Sequence, residues 1–135
     1  MTRRWRVVIF TAMAATLSGC GPAVDAVRLT PVPYPPRPAD FRIRMYSTER
    51  PRCPYEELAT VRARKRNSFV SMEDVGEAVR RVAREMGGDA VIGVTSGAQI
   101  SGGGTVIDGT GTVTVDSEPY ITGTIVRFRQ DDCRE

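Results

Sequence analysis

The feature that most limits how this chain can fold is one amphipathic helix pattern between two strand-like segments. Ser71 is followed three residues later by Asp74, the spacing of a capping box with Asp in place of Glu. Apolar side chains then recur at helical spacing, and Gly87 and Gly88 provide a C-terminal stop. The apolar positions are Val75, Ala78, Val79, Val82, Ala83 and Met86. The sequence therefore predicts one helix whose apolar face is buried against another element.

Segments on both sides of this helix have strand patterns. Residues 57–64 are rich in strand-forming side chains, and residues 89–94 form a short apolar run typical of a strand buried on both faces. The helix between them is long enough for a right-handed parallel crossover. Residues 41–46 alternate apolar and basic side chains, and residues 121–128 close the domain as a last strand.

The segment before the last strand is rich in glycine, serine and threonine. Asp108-Gly109 is a favoured hairpin turn, and it lies between the short strand patterns 105–107 and 112–115. The predicted fold class is therefore α+β, with one amphipathic helix packed on a small mixed β-sheet that carries a Gly-rich β-hairpin.

The N-terminus has the pattern of an export signal. Three arginines precede 11 uncharged residues, Val7 to Leu17, a run too short to span a bilayer, which needs about 20. Leu17-Ser18-Gly19-Cys20 matches the bacterial lipobox. We expect residues 1–19 to be a signal peptide and Cys20 to carry the lipid, palmitate included. An ordinary signal peptide with a chance cysteine is the alternative.

The residue after the lipobox cysteine bears on localisation. Position 21 is Gly, whereas Asp at this position tends to retain lipoproteins of Gram-negative bacteria in the inner membrane. We therefore expect a cell-envelope protein on the periplasmic face of the outer membrane. The membrane itself, reached through Cys20, is the first expected partner.

Residues 20–40 are predicted to be a tether. Five prolines fall between positions 31 and 38, a density that favours extended polyproline II and disfavours a place inside a sheet. The interpretation is the lipidated cysteine followed by a Pro-rich stalk, with the compact domain over residues 41–135. The alternative is that this segment is a proline-rich ligand for an aromatic groove of another protein.

Cys53 and Cys133 are predicted to form a disulfide, because both lie in the exported part of the chain. Cys53 precedes the strand at 57–64, and Cys133 follows the strand at 121–128. If these two strands pair antiparallel, the start of one lies beside the end of the other, and the thiols meet. Two free thiols, or an intermolecular bridge, are the alternatives.

Charge argues against nucleic acid as a partner. The 19 basic residues include Arg3, Arg4 and Arg6 of the signal segment, so the processed chain carries 16 basic and 16 acidic residues. One local cluster remains, formed by Arg62, Arg64, Lys65 and Arg66. It is either a solvated strand end or a contact site for an anionic surface such as lipid head groups.

The residues needed for catalysis or metal binding are scarce. The sequence has no histidine, which excludes serine triads of the Ser-His-Asp type and most metal sites. With Cys20 lipidated, Cys53 and Cys133 are the remaining soft ligands. Gly104 and Gly109 have P-loop spacing, but no lysine follows. We therefore expect no enzyme activity, no cofactor, no metal site and no catalytic residue.

Three motifs resemble the YbjQ-like superfamily, which includes the RcsF-like proteins. They are Cys-Pro-Tyr-Glu-Glu-Leu-Ala-Thr-Val from Cys53, Arg-Glu-Met-Gly-Gly-Asp-Ala-Val-Ile-Gly-Val from Arg84, and Thr-Gly-Thr-Ile-Val-Arg-Phe from Thr122. The chain departs from the family pattern at Ala59, where Gly is usual, and at Gly88, where Ala is usual. The four domain cysteines of RcsF-like sensors are not reproduced.

This resemblance implies a small α+β domain without an established enzymatic activity. Some family members are labelled heavy-metal-binding, and some form ring-like oligomers, so a homo-oligomer is a possible state. The expected function is a membrane-anchored envelope lipoprotein with a non-catalytic binding, scaffold or envelope-sensing role toward an unidentified envelope protein. The alternative is a cryptic small-ligand or metal-binding protein, or an enzyme, of the YbjQ-like group.

Overall fold

The structure is a computed structural model that describes residues 21–100 and 117–134. Its elements, in chain order, are β1 (Ala23–Arg28), β2 (Arg44–Met45), β3 (Tyr55–Arg64), α1 (Met72–Glu85), β4 (Ala90–Ile100), β5 (Ser117–Phe128) and a 3-10 turn (Asp131–Arg134). One helix on a mixed five-stranded sheet confirms the predicted α+β class. The predicted hairpin around Asp108-Gly109 and the predicted signal peptide with Cys20 lie outside the described residues.

The strands lie in the order β1-β3-β5-β4-β2. Three of the four pairings are antiparallel, and β2 pairs with β4 in parallel. The sequence predicts a parallel crossover from β3 through α1 to β4, and these two strands do run the same way. However, they are not neighbours, because β5 lies between them and pairs with both.

The helix begins and ends as its sequence predicts. The Ser71 hydroxyl accepts a hydrogen bond from the Asp74 N–H, and the Asp74 carboxylate accepts one from the Ser71 N–H, which completes the capping box. After the helix, Gly87 adopts a φ of +76°, a conformation that favours glycine. Gly88 then lies so close to the sheet that an added Cβ would be 2.5 Å from Ile125 Cγ2. An alanine at this position would therefore require Ile125 to shift.

The described residues form two hydrophobic clusters, one on each face of the sheet. Val75 and Val79 of α1 pack against Val91 and Ile125 of the sheet, and all four side chains are fully buried. The smaller cluster lies on the opposite face, at one end of the sheet. It consists of Ala90, Ile92, Val126 and Phe128, against which Tyr46, Cys53, Tyr55 and Cys133 pack.

The predicted tether requires a correction. Within residues 21–40, β1 (Ala23–Arg28) joins the sheet as an edge strand and pairs antiparallel with β3. The run Ala-Val-Asp-Ala-Val-Arg lies ahead of the prolines, so each of its residues keeps the N–H that a β-ladder requires. Within the described residues, the sheet therefore begins at Ala23 and not after residue 41.

The proline-rich stretch that follows β1 also packs on the domain. The Leu29 N–H donates to the Leu58 carbonyl at 2.8 Å, and the Arg37 N–H donates to the Arg84 carbonyl at 2.8 Å. The predicted strand over 41–46 is shorter than expected, since β2 covers Arg44–Met45 alone. No helix in the described part of the chain is long and apolar enough to cross a membrane.

Candidate functional site

The face of the sheet turned away from α1, called here the open face, holds the candidate binding site. Directly opposed residues of antiparallel strands share a face, so the pairs Thr60–Thr124 and Arg62–Thr122 lie together on this side. They line a groove of about 480 Å³. The groove is lined by Asp25, Val27, Thr60, Val61, Arg62, Gly93, Thr122, Gly123 and Thr124.

The groove is shaped by an irregularity in β4. The register between β4 and β5 shifts between Ile92 and Thr95, and Gly93 within this bulge has a φ of +60°. A bulge bends its strand and leaves a residue without a ladder partner. Beyond the bulge the ladder resumes, and the hydroxyls of Thr95 and Thr122 lie 2.8 Å apart in a hydrogen bond. The groove is therefore hydroxyl-rich, while the exposed side chain of Val27 adds an apolar wall.

Beside the groove, Arg62 is held in a fixed position. Its guanidinium stacks 4.5 Å from the centroid of the Tyr120 ring and donates a hydrogen bond to Gln99. The Tyr120 ring in turn lies over Gly97, where an added Cβ would be 2.8 Å from the tyrosine oxygen. The absence of a side chain at position 97 thus allows the stack, which places a preorganised cation at the rim of the groove.

The predicted basic cluster does not form one patch. Arg62 and Arg64 point to the open face, where Arg64 lies 3.7 Å from Asp25 and 3.9 Å from Glu118. Both of these ion pairs are partly exposed, so each contributes little to stability. Lys65 and Arg66 lie past the end of β3, where they line a separate depression with Ser117 and Glu118. The four cations are therefore two pairs with different surroundings.

The disulfide prediction is confirmed. Cys53 and Cys133 are bonded, with their Cα atoms 6.1 Å apart. The antiparallel register that the prediction required is present, because Tyr55 of β3 pairs with Phe128 of β5. The bridge lies among the apolar side chains of the smaller cluster and ties the C-terminal turn to this end of the sheet. We refer to it as the disulfide end.

Sequence reasoning missed a buried ion pair at the disulfide end. The Asp89 side chain is fully buried, and its Oδ1 lies 2.7 Å from Nη2 of Arg37, whose side chain is 16% exposed. Asp89 Oδ2 also accepts a hydrogen bond from the Phe128 N–H at 2.9 Å. The one feature of the sequence that could have indicated this ion pair is the single acidic residue, Asp89, at the start of an apolar strand. Arg37 gave no such indication, because its segment has the composition of a linker.

A second contact fixes the same proline-rich segment. The Tyr34 hydroxyl donates to Glu56 at 2.6 Å, and this hydrogen bond raises the pKa of Tyr34. The Arg127 guanidinium lies 4.5 Å from the centroid of the Tyr34 ring and donates to the Gly87 carbonyl at 2.8 Å. Glu56 is thereby engaged in a structural contact that holds the segment on the sheet.

The described residues bring together few groups with catalytic potential. In residues 21–100 and 117–134, no three metal-ligating side chains converge. The titratable side chains lining the groove are Asp25 and Arg62. The groove therefore offers hydroxyls, one fixed cation and an apolar wall, which are suited to binding a polar chain.

Comparison with known proteins gives one distant likeness. No family model matches the chain, and no curated protein matches its sequence. Among solved structures, the chain is similar to the crystal structure of a Francisella virulence factor, FvfA, with 14% identity and a TM-score of 0.49. The match covers 81% of this chain and 99% of that one. It concerns a small α+β fold and carries no functional information.

Proposed function

We propose that this chain is a bacterial lipoprotein with a YbjQ-like, RcsF-like domain. In this proposal Cys20 anchors it in the cell envelope, on the periplasmic face of the outer membrane, and the open face binds a protein partner without catalysis. The observation that carries the binding role is the groove beside the fixed Arg62. A helix covers the other face of the sheet, whereas this groove exposes Val27, Thr60 and their neighbours.

The composition of the groove favours a polypeptide as its ligand. Threonine hydroxyls both donate and accept hydrogen bonds, so they suit backbone amides and carbonyls of a bound chain. Val27, 64% exposed, offers an apolar contact beside them. Arg62 is held by Tyr120 and Gln99, so little side-chain entropy is lost when it meets a carboxylate of the partner. We therefore expect the partner to present an extended segment that carries an acidic residue.

The anchoring part is tested by metabolic labelling with palmitate. Replacing Cys20 by Ala should abolish label incorporation and leave the precursor uncleaved, because the thiol is the lipid acceptor. Ser47→Ala, at an exposed position that leaves Cys20 and the disulfide intact, is the control and should be labelled as the wild type is. Label on the Cys20→Ala chain would refute the lipoprotein assignment.

The binding part is tested by photo-crosslinking in intact cells. A photoreactive residue at position 60, on the open face, should give a discrete protein adduct that mass spectrometry identifies. The control position is Glu85, which is exposed on α1. The same adducts at both positions, or none at position 60, would refute the open face as the binding surface. An adduct between two copies of this chain would identify the partner as a homo-oligomer.

A further inference from the structure

The end of the sheet opposite the disulfide carries an exposed aromatic side chain beside the start of the described chain. We propose that this end, called the Phe69 end, lies against the membrane, with Phe69 inserted among the lipids and Lys65 and Arg66 at the phosphate groups. The proposal deepens the proposed function, because it rests on an anchor at Cys20. It assigns a second contact with the bilayer, and with it a fixed orientation of the domain.

Phe69 is held outward by its neighbours. Its side chain is 95% exposed, whereas the next residue, Val70, is buried in the core. The Asn67 side-chain oxygen accepts hydrogen bonds from the Phe69 N–H at 3.1 Å and from the Val70 N–H at 3.2 Å. These bonds fix the backbone on both sides of the ring. A single exposed apolar side chain is ordinary on a protein surface, so the role of Phe69 rests on its position beside the expected membrane anchor.

The position where the described chain starts favours a membrane, and not a protein, as the partner of the Phe69 end. Gly21 and Pro22 line one shallow depression together with Phe69, and Ala23 pairs with Arg64 at this end of the sheet. Cys20 is three residues before Ala23, so an anchor at Cys20 would be attached at most about 11 Å along the chain from the first strand of the sheet. The predicted stalk would have allowed any orientation. A strand that begins so soon after the anchor brings the Phe69 end to the bilayer surface.

The charges at this end agree with an anionic membrane surface. Lys65 and Arg66 form no ion pair with a described acidic residue, and Arg66 is exposed. Glu118, which lines the same depression and is 3.9 Å from Arg64, opposes them. Glu73 and Asp74 in the first turn of α1 also oppose them, although the Asp74 carboxylate is occupied by Ser71. The net attraction is therefore modest, and the insertion of Phe69 supplies most of the contact. Cations near the surface of anionic lipids add to it.

The test uses the processed chain from Cys20, which contains every described residue. Its Cys20 thiol is coupled to a maleimide lipid in vesicles, while Cys53 and Cys133 stay bonded to each other. Phe69→Trp serves as the reporter variant, because the sequence has one Trp, Trp5, and it lies in the predicted signal segment. Val32→Trp is the matched control variant, since Val32 is 63% exposed and lies close to Tyr34 at the disulfide end.

Lipids brominated in the upper acyl chain should quench the indole of the reporter variant several-fold more than that of the control variant. The emission of the reporter should also shift to the blue. In vesicles with phosphatidylglycerol, Lys65→Glu with Arg66→Glu should reduce the reporter's quenching at low salt. The same double substitution should change the reporter's quenching little in vesicles of phosphatidylcholine, because the charges act on anionic head groups. Equal quenching of the reporter and control variants would overturn the proposal.

Chemical coupling separates this proposal from the lipoprotein assignment. The vesicle measurement does not depend on modification in the cell, whereas palmitate labelling does not depend on the orientation of the domain. Selective quenching of the reporter with no label on Cys20 would leave the surface established and the native anchor refuted. Labelled Cys20 with no difference in quenching would support the lipoprotein assignment and refute the membrane contact of the Phe69 end.

Discussion

The two ends of the sheet are stabilised by different kinds of interaction. The disulfide end has a covalent bridge, the fully buried carboxylate of Asp89 paired with Arg37, and the smaller apolar cluster. The Phe69 end has the exposed capping box of α1 and a turn that leaves an aromatic ring in solvent. The covalent bridge and the buried ion pair thus lie away from the proposed membrane contact, where Phe69, Lys65 and Arg66 remain available for binding.

Removal of the disulfide should change stability the most, and it tests this contrast between the two ends. The double variant Cys53→Ala with Cys133→Ala opens a loop of 81 residues, since the two cysteines are 80 positions apart. The free energy of unfolding should fall by about 4 kcal/mol, near the value that chain entropy gives for a loop of this length. Urea denaturation measures it. A loss below about 1 kcal/mol would show that the bridge does not secure this end.

Arg37→Ala should have the next largest effect. It leaves the buried Asp89 carboxylate without its cation, and breaking such a pair costs about 3 kcal/mol. The matched control is Arg81→Ala, which removes an exposed pair with Glu85 at 4.0 Å and should cost below about 0.5 kcal/mol. Equal losses for the two variants in thermal unfolding would mean that the proline-rich segment is not clamped to the sheet.

The smallest effect is expected at the Phe69 end. Hydrogen bonds from the Ser71 hydroxyl and N–H hold the pKa of Asp74 below its ordinary value. The ionised carboxylate therefore stabilises the fold fully above the ordinary pKa of about 4, and this contribution is lost as the pH falls through the lowered pKa.

Ser71→Ala should cost about 1 kcal/mol of unfolding free energy at pH 7 and less in acid. Urea titrations of wild type and variant at several pH values measure the difference. A cost that stays constant from neutral to acid pH would contradict the capping role of Asp74.

The parts of the fold that could be predicted from the sequence depend on neighbours along the chain. The capping box at Ser71 and Asp74 is set by a spacing of three residues, and the stop at Gly87 by one backbone conformation. The disulfide could be predicted for a related reason. Once two strand patterns are assumed antiparallel, their ends must meet, and Cys53 and Cys133 lie close to those ends.

The parts that could not be predicted depend on long-range pairing. Arg37 and Asp89 are separated by 52 positions, and nothing local distinguishes Arg37 from a solvated linker residue. The strand β1 was not predicted, because prolines dominate the presumed tether and the strand-forming residues occupy only its first part. The exposure of Phe69 could not be predicted either, since phenylalanine is among the residues most often buried and nothing local distinguishes this one.

The place of β5 in the sheet has a consequence for how the protein folds. Of the described strands, the last along the chain is the central one in the sheet, paired on one side with β3 and on the other with β4. Until residues 117–128 are available, the sheet has two halves without a middle, and α1 has no complete surface on which to pack. Assembly of the sheet therefore requires residues 117–128, and a chain truncated before Ser117 should remain open and prone to aggregation.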